Sequence, residues 1–178
     1  MVRMLTERAI EKQKDLYMCF IDYSKAFDKV QHVKLMEMLE SINLDGKDLQ
    51  LIRNLYWEQT ACIRIDNNMS DFTTIERGVR QGCVFSPDFF KLYGEIILRS
   101  IHDLPGFIVG GYNLNNLRYA DDTVLIADSQ EKLQALLDRV VEASKEKGLT
   151  LNCKKTECMV VSKSRERYYE LRTPPSSK

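Results

Sequence analysis

Six apolar residues in a row, Leu16-Tyr17-Met18-Cys19-Phe20-Ile21, stop abruptly at Asp22. A half-exposed strand alternates apolar and polar positions; an unbroken short run is the pattern of a strand covered on both faces. The chain must therefore supply a layer on each side of it. At 178 residues and 44% hydrophobic content, it is long enough for one domain that buries roughly 70% of the surface its unfolded form exposes.

The covering elements are legible as helical stripes. Val33, Met36, Leu39 and Ile42 recur at helical spacing, and Leu49, Ile52, Leu55 and Tyr56 do so after the Asp45-Gly46 break. Ser86-Pro87 sets a capping hydroxyl before a first-turn proline, opening a long, mostly buried helix through Phe90, Tyr93, Ile97 and Ile101 to about His102. Leu133, Leu136, Leu137, Val140 and Val141 form a last stripe, ended by Gly148. Ala61 to Asp66 and Phe72 to Glu76 alternate like the strands of a hairpin around Asn67-Asn68, and Leu149 to Leu151 with Cys158 to Val161 read as a closing strand pair. This order mixes hairpins with crossover helices and predicts an α+β fold, a largely antiparallel sheet packed on helices.

Leu117 to Ala120 and Thr123 to Ala127 are two further strand-like runs, separated by Asp121-Asp122. Two such runs two residues apart predict a tight hairpin with paired carboxylates at its turn. Solvent, a cation or a metal must relieve their repulsion, although Asp is also common in turns because its side chain bonds its own backbone. If the strand ending at Asp22 neighbours this hairpin, Asp22, Asp121 and Asp122 converge at one edge. An oxygen-only cluster suits Mg²⁺, which takes one or two carboxylates and completes its shell with water and phosphate. Two such ions can clamp the attacking and leaving oxygens of an in-line phosphoryl displacement. Asp22 alone reads equally well as a strand-end residue capping the next turn.

Composition narrows the classes. Lys plus Arg and Asp plus Glu each number 26, so no net field draws in a polyanion and any nucleic-acid contact must be local. Cys19, Cys62, Cys83, Cys153 and Cys158 include no CxxC pair, and His32 and His102 are too scattered to complete a zinc site. Reduced thiols in an intracellular protein are the expectation, with nucleus and cytoplasm both open. No run reaches the ~18 apolar residues of a membrane span.

Four words occur in order: Phe20-Ile21-Asp22-Tyr23-Ser24-Lys25-Ala26-Phe27-Asp28, Gly78-Val79-Arg80-Gln81-Gly82-Cys83-Val84-Phe85-Ser86-Pro87, Tyr119-Ala120-Asp121-Asp122, and Gly148-Leu149-Thr150-Leu151-Asn152-Cys153-Lys154-Lys155-Thr156. Together, over about Val2 to Ser162, they resemble the palm of a reverse transcriptase, most like those of non-LTR (LINE-type) retrotransposons. The resemblance implies an RNA-directed DNA polymerase, a nucleotidyltransferase that works on an RNA template, a DNA primer and dNTPs. It implies Mg²⁺, with Mn²⁺ as a substitute, bound by Asp22, Asp121 and the backbone carbonyl of Tyr23, with Asp122 in support. Phe27 would lie under the incoming sugar and exclude a 2′-hydroxyl, Gln81 would contact the nucleotide, and Tyr119 would meet the primer end. Lys155 would help protonate the pyrophosphate leaving group. Each also has a plainer reading: Phe27 and Tyr119 as packing aromatics, the Gly78 to Pro87 segment as a helix-capping loop, Arg80, Lys154 and Lys155 as solvated charges.

The same resemblance implies fingers upstream of the first motif and a thumb after Val161. Only Met1 to Tyr17 stand upstream, and Ser162 onward is polar without apolar periodicity. The expectation is a palm over residues 1–162, truncated at both ends, and a disordered tail over 163–178. Because positioning can carry ~7 to 11 kcal/mol of a rate enhancement, a second reading stands beside the enzyme: a catalytically inactive, retrotransposon-derived fragment or interaction module. An RNA-dependent RNA polymerase palm is disfavoured by Phe27 and the YxDD form.

Overall fold

The computed structural model describes residues 1–80, 82–119 and 122–162; the expected tail lies outside the described residues. In chain order the elements are α1 (Val2–Glu11), β1 (Leu16–Ile21), α2 (Ala26–Lys29), α3 (His32–Ser41), α4 (Gly46–Tyr56), β2 (Thr60–Ala61), β3 (Arg64–Ile65), β4 (Asn68–Met69) and β5 (Thr73–Thr74). Then follow α5 (Ser86–Arg99), β6 (Phe107–Val109), β7 (Tyr112–Leu114), β8 (Asn116–Tyr119), β9 (Asp122–Ala127), α6 (Gln130–Glu146) and β10 (Glu157–Val161). They form two compact units, residues 1–24 with the described residues from 97 onward, and residues 25–96. The fold is the α+β arrangement of helices and antiparallel sheet that the pattern predicts.

In the first unit β1 takes an interior place in a four-stranded sheet of order β10-β1-β9-β8, with every pairing antiparallel. This explains its unbroken apolar run, because both faces are covered. Leu16, Met18, Val124 and Ile126 pack with Leu5 and Ala9 of α1 and Phe107 of β6. On the opposite face Tyr17, Cys19, Ile21, Leu125 and Ala127 are buried, and α6 packs against β9 and β1 with Leu133, Leu136, Leu137 and Val140 inside. α6 begins where Ser129 accepts a capping bond from the Lys132 amide. A Cβ on Gly106, just before β6, would overlap the Leu114 carbonyl, so only glycine allows that strand to approach.

In the second unit α3 buries Leu35, Met36, Met38 and Leu39, and α5 buries Phe89, Phe90 and Tyr93. The segment before α5 is laced to the α2–α3 connection by backbone bonds: His32 N to Glu76 O (3.1 Å), Gly78 N to Val30 O (2.8 Å) and Val79 N to Phe27 O (2.9 Å). Gly78 has φ +94°, a conformation that L side chains rarely adopt.

Several expectations are corrected. The paired-aspartate hairpin is shifted by one residue: Tyr119 pairs with Asp122, so Asp122 opens β9 rather than sitting in the turn. Ser86 is the first residue of α5, and its hydroxyl donates to the Arg80 carbonyl (2.7 Å) instead of capping. The Ala61–Glu76 hairpin breaks into two-residue strands, β2 with β5 and β3 with β4, and Asn68 belongs to β4. Leu149 to Leu151 is no strand; Leu151 forms an isolated bridge with Tyr23. The helix α1 and the β6–β7 hairpin are additional to the predicted order.

Candidate active site

The end of the sheet where β1 and β8 finish and β9 and β10 begin collects most of the candidate residues. β1 and β9 pair from Tyr17↔Ala127 to Ile21↔Thr123, and one further step of that register sets Asp22 opposite Asp122. Strand parity places both on the face of Met18, Phe20, Val124 and Ile126. The phase of the ladder sharpens this. The Asp22 carbonyl accepts from the Asn152 amide (2.8 Å) and its amide donates to Thr156 Oγ1 (3.4 Å), both on the β10 side. Even-numbered residues of β1 therefore direct their backbone groups toward β10. Ile126 N donates to Asn115 O (2.9 Å), which gives β9 the matching phase. Asp22 and Asp122 thus form a non-hydrogen-bonded pair, the kind whose Cα atoms approach to ~4.5 Å.

Like charges directly opposite one another on a sheet are destabilising. Asp22 is half-buried, Asp122 exposed, and among the described residues no Lys or Arg pairs with either. The unrelieved pair is suited to an external cation. Among the described residues there is no group of three or more His, Cys, Asp or Glu side chains placed to hold a metal. Asp121 lies outside the described residues, as does Gln81.

Tyr23 continues β1 by one bridge to Leu151, made by Asn152 N to Asp22 O and Ser24 N to Thr150 O (2.9 Å). Neither bond uses the Tyr23 carbonyl, which the alternation of an extended strand directs to the opposite edge, where β9 runs. Its phenol meets Ser144 Oγ (3.1 Å), and burial pushes that phenol above its ordinary range. Lys155 is exposed in the Asn152–Thr156 turn, where the Asn152 carbonyl accepts from the amides of Lys155 (3.0 Å) and Thr156 (2.8 Å). The turn that carries Lys155 is thus the turn that grips Asp22 at both its amide and its carbonyl. Tyr119 is the last residue of β8.

Phe27 is built into the other unit, in α2, with its ring 4.9 Å from that of Phe90. Arg80 is exposed, and its carbonyl anchors Ser86. A cavity lined by Gln31, His32, Tyr56, Trp57 and Arg77 also belongs to the 25–96 unit and includes none of the candidate residues.

Ser144 and Thr156 were missed by sequence reasoning. Ser144 is a fully buried polar residue on the stripe Leu133, Leu137, Val140. A hydroxyl at an apolar position of an amphipathic helix was the available signal. Thr156 stands at the end of the fourth word, but nothing local marked its contact with Asp22, 134 positions away.

Residues 2–170 match the family described as reverse transcriptase (RNA-dependent DNA polymerase). The chain belongs to the reverse transcriptase family. It is 30% identical over 157 residues to the retrovirus-related Pol polyprotein from the type-1 retrotransposable element R2 of Nasonia vitripennis, covering 88% of this chain and 15% of that protein. It is 27% identical over 153 residues to the RNA-directed DNA polymerase from the mobile element jockey of Drosophila funebris, covering 83% of this chain and 16% of that protein. The chain thus spans under a fifth of the length of these two relatives. In fold it resembles apo telomerase from Candida tropicalis, truncated from its C-terminal domain, with a TM-score of 0.68, 19% identity, and coverage of 93% of this chain and 35% of that one. The reverse transcriptase fold and the non-LTR retrotransposon relationship agree with the motif reading. No helix among the described residues is long and apolar enough to cross a membrane.

Proposed function

We propose that this chain is the palm of an RNA-directed DNA polymerase, which transfers a deoxynucleotide from a dNTP to a primer 3′-hydroxyl on an RNA template. The observation that carries the reading is the β1–β9 register, whose next step beyond Ile21↔Thr123 sets Asp22 opposite Asp122 on one face at one sheet end. These carboxylates fit Mg²⁺ or Mn²⁺, hard cations that favour oxygen donors. When bound, such ions supply the charge that steadies the attacking and leaving oxygens of the in-line displacement.

The chain's own groups then divide the remaining work. Asp22, Asp121 and the Tyr23 carbonyl would hold the cation, with Asp122 in support. Phe27 lies against the incoming sugar and selects the deoxy form, Gln81 contacts the nucleotide, and Tyr119 meets the primer end. The primer hydroxyl attacks the α-phosphate, pyrophosphate leaves, and the Lys155 ammonium supplies a proton to it.

The test is primer extension on an RNA template with dNTPs and Mg²⁺, run beside an Asp121→Ala, Asp122→Ala variant. Mn²⁺ binding to both proteins is followed by electron paramagnetic resonance. Extension and ion binding by the unaltered chain alone support the reading; equal extension by the variant, or no cation-dependent extension, overturns it.

A further inference from the structure

All five cysteines are free thiols, and two of them, Cys19 on β1 and Cys158 on β10, are direct cross-strand partners. The ladder phase decides what that pairing permits. Even-numbered residues of β1 bond toward β10, so Cys19↔Cys158 is a non-hydrogen-bonded pair. In such pairs the Cα atoms approach to ~4.5 Å and the side chains lie closest. That separation falls inside the ~4.4–6.8 Å span that a disulfide bridges without backbone movement.

Access is asymmetric. Cys19 is inaccessible beneath α6, whereas Cys158 is exposed on the edge strand. The Cys19 thiol donates to the Cys158 sulfur and draws the Cys158 thiol below its ordinary range; the same contact, with burial, pushes Cys19 up. One partner is thus an accessible nucleophile and the other a protected thiol held against it.

We propose that Cys19 and Cys158 form a reversible dithiol–disulfide site on the sheet, with glutathione disulfide or a similar small disulfide as its co-reactant. The Cys158 thiolate attacks one sulfur of glutathione disulfide, forms a mixed disulfide and expels one glutathione thiolate, which takes up the proton Cys158 lost. Cys19 attacks the Cys158 sulfur and its proton passes to the departing glutathione thiolate, so the internal S–S bond forms as the mixed disulfide breaks and the second glutathione leaves. In sum, two protein thiols become one disulfide and one glutathione disulfide becomes two glutathiones. The bond fastens β10 to β1 just before Asp22.

The test is incubation of the whole chain with glutathione disulfide, alkylation of remaining thiols, and mass spectrometry of the peptides. The expected product joins the Cys19 and Cys158 peptides, lowers the free thiols from five to three, and is reversed by dithiothreitol. Cys83 is the demanding internal control, because the Phe85 amide lowers its thiol too, yet it lies in the loop before α5, outside any strand. Cys19→Ala should leave glutathione trapped on Cys158. Because Cys19 is buried, that variant could fail to fold, and Cys158→Ser, at an exposed position, keeps the test sharp by abolishing the joined peptide. A stable glutathione adduct on Cys158 of the unaltered chain, a joined peptide through another cysteine, or no reaction at Cys158 overturns the proposal.

Discussion

The sheet of the first unit and the β2–β5 hairpin of the second are both antiparallel, yet they are held in opposite ways. β1 and β9 pair through five consecutive positions with both faces covered. The hairpin has only two-residue strands, and Ile63, Ile65, Met69 and Phe72 stand 61–69% exposed. Its register rests on local bonds such as Ser70 N to Ile63 O (2.9 Å) and Ile63 N to Ser70 Oγ (2.8 Å). In the sheet, by contrast, a one-residue slip would exchange the buried faces and carry Asp122 away from Asp22. Chemistry that depends on two carboxylates meeting belongs on the region whose register is fixed by burial, and that is where Asp22 and Asp122 lie.

The sharpest break of this comparison is Asp22→Ala set against Ile65→Ala. If the carboxylate pair holds a catalytic cation, Asp22→Ala forfeits several kcal/mol of charge stabilisation and lowers primer extension by about a thousandfold. Thermal stability should hold or rise slightly, because a like-charge opposition is relieved. Ile65→Ala should leave extension within about twofold, and a comparable loss there would erase the distinction between the two regions.

Stability provides the second contrast. Leu125 of β9 is fully buried on the sheet face that α6 covers, so Leu125→Ala should cost ~2–5 kcal/mol in a urea melt, whereas Ile65→Ala, at 68% exposure, should stay within about 0.5 kcal/mol. Gly106→Ala comes next. Its Cβ must displace the Leu114 carbonyl, and a loss above about 1 kcal/mol is expected. A neutral outcome would mean that the β6–β7 hairpin moves aside more freely than its packing against the core indicates.

The difference between the regions also governs how much the sequence revealed. β1 announced itself because burial on both faces demands an unbroken apolar run, and the stripes of α5 and α6 are buried as expected, whereas Val33 and Ile42 of the α3 stripe and Leu55 of α4 stand exposed. The hairpin was expected as two longer strands. Its apolar residues stand exposed, so alternation there reports no buried face. α1 was missed because Leu5 and Ala9 are its only fully buried residues in a charged stretch. At the site, Asp22 was legible as a strand-end carboxylate and Asp122 as a turn carboxylate, but their register was not, because register is a long-range property. The one-residue shift of the hairpin has the same origin: local residues mark a turn, while the neighbouring strand decides which residues occupy it.

The smallest expected effect probes the support beneath Asp22. The Tyr23 phenol and the Ser144 hydroxyl satisfy one another where Ser144 is fully buried. Ser144→Ala removes this bond from the phenol and should cost ~1–2 kcal/mol. Tyr23→Phe should cost less, because a serine within a helix can turn its hydroxyl to the carbonyl four residues back. The double variant should then lie closer to the unaltered chain than the sum of the two singles, with a coupling of at least about 0.5 kcal/mol. Additive losses would show that the bond contributes nothing. If the contact also orients the Tyr23 carbonyl, Ser144→Ala should raise the Mg²⁺ concentration needed for half-maximal extension while leaving the dNTP requirement unchanged, a split that simple loss of stability does not produce.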